Sequence, residues 1–258
     1  MSFTADWLAL RADADRMARD AGLVGELAAL LDESESVRVL DLGAGTGASL
    51  AAISPVLPAY QTWVLADHDA GLLSRVEAPD GIVLDKRTTD LSGALTSLFD
   101  PAPDLVTASA FFDLCGAEVA DRLAALTAKS GAAFYTALSY DGRQTWLPSH
   151  PDDDAVLAAF NADQRRDKGL GPGLGHDATD HLAAAFRRHG YTVETARSDW
   201  QLSPADDAAL IAELARGTAE ALAPVIGRET ADEWHRARAC AEAVTIGHLD
   251  ILAIPSSA

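Results

Sequence analysis

The residue types best suited to chemistry stand close together in the first half of the chain. Asp41 lies two residues before Gly43, and Gly43, Ala44, Gly45, Thr46 and Gly47 follow as a run. Glycines let the main chain bend sharply and let a ligand lie directly on it, because no β-carbon intervenes. Val37, Val39, Leu40 and Leu42, just ahead of this run, read as a strand buried in a parallel sheet. Ala48 to Ile53 reads as the start of a helix, whose first amide hydrogens have no partner within the helix. The spacing therefore predicts a strand, a glycine turn and a helix N-terminus with a ligand at their junction. Gly43, Gly45 and Ala48 satisfy the G-x-G-x-x-G/A spacing of a dinucleotide site. Asp41, however, offers nothing to an anionic pyrophosphate and an attractive field to an ammonium group. A second acid, Asp67, ends the run Thr62-Trp63-Val64-Leu65-Ala66. It lies about 20 residues past the glycines, where an open α/β nucleotide site places its ribose-binding carboxylate. Asp69 competes for that role, but it also suits the cap of a helix at 70–76.

The wording Leu40-Asp41-Leu42-Gly43-Ala44-Gly45-Thr46-Gly47 resembles the first motif of the class I S-adenosylmethionine (SAM)-dependent methyltransferases. The resemblance is strongest from Val37 to Tyr140. It implies S-adenosyl-L-methionine as cofactor, with Asp41 near its amino group and the backbone of Gly43, Ala44, Gly45 and Gly47 beneath it. Asp67 would take the ribose, with His68 beside it. Asp90 and Leu91 match the family's adenine-binding position, although Asp90 equally suits a helix N-cap. In the family an N-terminal helix often packs over the pocket, and Arg11 or Arg16 would meet the methionine carboxylate there. The stretch Ser109-Ala110-Phe111-Phe112-Asp113 resembles the fourth motif, which faces the transferred methyl group. It does not have the Asn/Asp-Pro-Pro-Tyr wording of amide and base methyltransferases, which points away from nucleic-acid and protein-glutamine targets.

Methyl transfer from a sulfonium needs donor and acceptor held in line more than it needs proton chemistry. Aromatic faces hold such a cation, and Phe111, Phe112, Tyr140 and Trp146 are placed for it, with core packing as the alternative for each. A hydroxyl, thiol or amine acceptor would call on a base. Asp113, His150 and His176 are the candidates, and Asp113, His150 and Tyr140 make up the expected catalytic set. Arg165 and Lys168, in the basic cluster Gln164-Arg165-Arg166-Asp167-Lys168, would clamp an acidic substrate or simply face solvent. Together with Phe112 and Trp146 they form the expected substrate contacts. No metal site is expected, since His176 and His181 do not have the i, i+4 spacing of a helical pair.

The elements that must position these residues alternate. Strands are expected at 37–42, 62–66, 81–85, 103–109, 131–139 and 191–200, with helices between them and an antiparallel last strand at 244–254. Strand-helix repeats imply right-handed crossovers. The expectation is an α/β, Rossmann-like, doubly wound seven-stranded sheet, mostly parallel, with helices on both faces. One domain is expected over 1–258. It carries an N-terminal helical segment at 1–36, a lid over the pocket at 140–176 and a helical insertion at 204–243.

The formal net charge of −19 opposes binding to nucleic acid or to an anionic membrane. Cys115 and Cys240 share no motif, and Met1 to Asp20 has no signal-peptide character. A reduced, cytoplasmic protein acting on a small molecule is the resulting expectation, its oligomeric state open. Three other readings fit the same residues. They are aminopropyl transfer on a SAM-like fold, a non-catalytic SAM-binding or partner-binding module, and an NAD-dependent oxidoreductase.

Overall fold

In a computed structural model, residues 3–256 are described. Residues 1, 2, 257 and 258, the ends of the expected N-terminal segment and C-terminal tail, lie outside them. The strands are β1 (Val37–Leu42), β2 (Gln61–Asp67), β3 (Ile82–Thr88), β4 (Leu105–Ser109), β5 (Ala133–Leu147), β6 (Tyr191–Arg197), β7 (Trp200–Leu202) and β8 (Ala243–Pro255). The helices are α1 (Ala5–Ala18), α2 (Ala21–Leu31), α3 (Ala48–Ile53), α4 (Ala70–Ser74), α5 (Leu91–Ala94), α6 (Ala117–Ser130), α7 (Asp153–Gln164), α8 (Ala178–Arg188), α9 (Pro204–Ile226) and α10 (Arg228–Arg238).

The sheet runs β3-β2-β1-β4-β5-β8-β6, which is the expected seven-stranded path. Strands β1 to β5 pair in parallel, and β8 is antiparallel to both of its neighbours. An eighth short strand, β7, pairs with β8 off this path. Central strands are apolar on both sides, so alternate residues feed two cores. Trp63 and Leu65 enter one, and Val64 and Ala66 the other. That double burial is why these strands read as near-continuous hydrophobic runs.

Two boundaries differ from expectation, and both matter for the site. β5 does not stop near Ser139 but continues to Leu147, and Tyr140 to Leu147 pairs with His248 to Ala243 of β8. The expected lid thus begins as sheet. Its helical part is α7, which packs with α9 over this extension. The stretch 191–200 is two strands: β6 stays in the main sheet, and β7 joins the extension. The β5 extension, the start of β8 and β7 form a three-stranded roof. Trp146 is buried in it, edge-on to Trp234 of α10 at 5.4 Å between ring centroids. The expected helical pair breaks at Gly227, where φ is +91°, and Pro224 sits within the last turn of α9. Among the described residues no helix is long and apolar enough to cross a membrane.

Candidate functional site

The carboxyl ends of β1, β2 and β4 open on one cavity of about 690 Å³. In open α/β sheets this edge is where ligands bind. The glycine turn forms its floor. Gly43, Gly45 and Gly47 all have positive φ (+62°, +53° and +87°), a conformation that L side chains seldom adopt. At Gly43 an added β-carbon would stand 2.5 Å from Cδ2 of Phe111, so bare backbone is also a packing requirement there.

Asp67 holds this floor in place. Its Oδ2 accepts from the Gly45 amide at 2.8 Å, and its Oδ1 accepts from the Asp69 amide at 2.9 Å. His68 Nδ1 lies 3.1 Å from the same Oδ1. Asp69 caps α4 through the amides of Gly71 and Leu72. Asp90 caps α5 through the Ser92 amide, which pulls its carboxyl below the usual carboxylate range. Asp67, His68, Thr89, Asp90 and Leu91 all reach the cavity wall.

Asp41 occupies a different position from the one expected. It is fully buried, behind the cavity surface rather than on it. Burial raises its carboxyl to about 7, although the Ser49 hydroxyl and Arg19 draw it down. Apart from the Ser49 hydroxyl, neither of its oxygens has a hydrogen-bond partner among the described residues. Leaving a charged group so placed is costly unless something completes it.

Arg19 is the site residue that sequence reasoning missed. It stands at the C-cap of α1 and lines the cavity. Its Nη2 donates to Ser109 Oγ at 2.8 Å, while Nη1 is buried without a partner. The two arginines expected in this role are engaged elsewhere, although both touch the cavity. Arg11 forks onto Asp15 at 2.9 and 3.0 Å and lies 4.7 Å over the Trp200 ring. Arg16 is largely exposed and bonds Asp13 at 3.1 Å.

The acceptor-side candidates divide. Phe111, Lys168 and Ser109 line the cavity. Asp113 follows β4, with its Oδ1 buried and unpartnered; burial raises its carboxyl to about 6 against the pull of Lys168 and Arg11. Tyr140 lies in the roof, donates to Asn161 Oδ1 at 2.9 Å, and is held above its ordinary range by burial. Phe112 and Trp146 are core residues off the cavity wall, because each packs edge-on to a buried ring, Phe134 and Trp234 respectively. His150 sits in the turn before α7, where its amide donates to Asp153, away from the cavity wall. Arg165 points outward and pairs with Asp177 at 2.5 Å, also off the cavity.

No protein-family model matches the chain. No curated protein matches it either. Solved structures do. The cyclopropane synthase MmaA2 from Mycobacterium tuberculosis is similar at a TM-score of 0.54 and 12% identity, over 97% of this chain and 94% of that one. A cyclopropane-fatty-acyl-phospholipid synthase-like protein from Lactobacillus casei gives 0.53 and 15%, over 96% and 99%. The mycolic acid cyclopropane synthase CmaA1, solved with S-adenosylhomocysteine (SAH) and CTAB, gives 0.51 and 12%, over 90% and 81%. At these identities the likeness is one of fold.

Proposed function

We propose, from the class I SAM-dependent methyltransferase fold that this chain adopts, that the protein binds S-adenosyl-L-methionine and transfers its methyl group to a small-molecule acceptor. One observation carries the reading. Arg19 lines the cavity with a buried Nη1 that has no hydrogen-bond partner, and the oppositely charged Asp41 lies close behind the same stretch of wall, near enough for the two to act on each other. An α-amino acid head suits this pair: its carboxylate meets the Arg19 guanidinium, and its ammonium is drawn by the field of Asp41 behind the wall. A dinucleotide pyrophosphate supplies neither an ammonium nor a use for a buried carboxylate. The SAH found in the mycolic acid cyclopropane synthase structure carries such a head and supports the assignment by analogy.

The residues divide the work along the cavity. The bare backbone of Gly43 to Gly47 takes the nucleoside against the main chain. Asp67 Oδ2 keeps a lone pair for a ribose hydroxyl after taking the Gly45 amide, while Oδ1 is shared by the Asp69 amide and His68 Nδ1. Leu91 packs the base, and Asp90 presents its polar edge at the cavity wall. The bound group would supply an electrophilic methyl on a sulfonium. Phe111, lying on Gly43, offers an aromatic face to that cation. Ser109 and Phe111 mark the end of β4, where an acceptor must approach, and Asp113 just beyond is the candidate to receive an acceptor proton.

A thermal-shift panel of SAM, SAH and NAD(H) tests the reading on wild type, Asp41→Asn and Asp67→Ala. SAH at about a hundred times its dissociation constant should stabilise the wild type by about 2.7 kcal/mol, and both variants should lose most of that gain. Stabilisation by NAD(H) but not SAH would reverse the assignment to a nicotinamide enzyme.

A further inference from the structure

The elbow between α1 and α2, where Arg19 stands, is tied to β8 on the same face of the sheet. Asp250 of β8 is completely buried. Its Oδ2 accepts from the Asp20 amide at 3.0 Å, the residue next to Arg19. Its Oδ1 accepts from the Leu138 amide at 2.8 Å. Leu138 has φ +60°, a left-handed kink in β5 that a branched side chain does not adopt unaided. The Tyr135 hydroxyl donates to Asp250 at 3.3 Å and lies beside the Arg19 guanidinium. Asp250 therefore ties three segments together: the elbow, the kink and the last strand. A carboxylate so enclosed is costly unless each bond is used, and here one bond ends on the backbone that aims Arg19.

We propose that Asp250 is a positioning residue for the amino-acid end of the cofactor: by holding the Asp20 amide and the kinked Leu138, it fixes the elbow so that Arg19 enters the cavity at Ser109. This rests on the SAM reading and goes beyond it. It assigns recognition of the methionine head to a residue that touches no ligand.

The test compares two nucleosides. SAH carries the amino-acid head, and 5′-methylthioadenosine lacks it. Dissociation constants for both are measured on wild type, Asp250→Asn, Arg19→Ala and the double variant. Asp250→Asn keeps an acceptor for Leu138 but breaks the hold on Asp20. It should weaken SAH about tenfold, the scale of one charge-assisted hydrogen bond, and leave methylthioadenosine unchanged. The double variant should be no weaker for SAH than Arg19→Ala alone.

Asp20→Pro provides a second route, should Asp250→Asn fold poorly. Its φ of −71° accepts proline, and Arg19 before it is already extended (φ −55°, ψ +136°). The substitution deletes the donated N–H without touching Asp250, although it also removes the carboxylate that caps α2 at the Leu23 amide, and it should give the same loss of SAH with methylthioadenosine unchanged. Equal weakening of both nucleosides, or of neither, would overturn the inference while the SAM reading stands. A wild type that binds neither nucleoside would overturn both.

Discussion

The buried state of Asp41 has a measurable consequence for cofactor binding. In the free protein its carboxyl sits at about 7 instead of the ordinary 3.8, so it is mostly protonated at pH 6 and mostly ionised at pH 8. Only the ionised form attracts an ammonium group strongly, and a bound ammonium pulls the carboxyl back toward its usual range. Binding then releases a proton below about pH 7, and affinity should rise about tenfold from pH 6 to pH 8 before levelling. Calorimetric titration of SAH in buffers of different ionisation enthalpy reads both the constant and the proton release. 5′-Methylthioadenosine, without the amino group, should show a flat profile, and Asp41→Asn should flatten that of SAH. An SAH affinity that is constant across this range, or that increases as pH falls, would refute the reasoning.

For the fold the same residue acts with the opposite sign. A carboxyl raised above its unfolded value lets the native state bind more protons between about pH 4 and 7, so stability falls as pH rises through that window. The shift corresponds to about 4 kcal/mol. Allowing about 1–3 kcal/mol for an unpartnered amide, Asp41→Asn should be more stable than wild type at pH 8 by about 1–3 kcal/mol, read by urea denaturation, while losing SAH. Gly43→Ala forces a left-handed alanine against the Phe111 ring and should cost about 2 kcal/mol or more, part of it recovered in the double variant with Phe111→Ala. Arg238 is 2% exposed and donates to the Pro148 carbonyl at 2.6 Å beside Asp153. Arg238→Met should lower unfolding free energy by about 3 kcal/mol without changing SAH affinity.

The floor of the site was legible because it is local. The glycine turn, Asp67 at the end of β2 and the caps at Asp69 and Asp90 each follow from a few adjacent residues. The mostly parallel sheet with its antiparallel last strand followed from the alternation of strands and helices. Arg19 was not legible, because its partner Ser109 lies on another strand and its aim depends on Asp250 near the other end of the chain. The β5 extension was hidden for a local reason. Gly142, at φ +89°, interrupts the strand pattern just past the expected end at 139, and it is absorbed where the pairing shifts register between Tyr140 and Gln144. The missed extension carried Trp146 into the core, and the turn after it left His150 beside Asp153.

That extension leaves the cavity wall to other elements. β5 and β8 stay paired from the centre of the sheet into the roof through two shifts of register, and no described residue of the β5 extension or of β7 lines the cavity. Beyond the sheet edge the wall includes separate pieces, namely α1 with its short elbow and the turn at Lys168 to Leu170. The elbow that carries Arg19 is thus a piece of the wall itself, so any change that loosens it alters the outline of the cavity as well as the aim of one side chain.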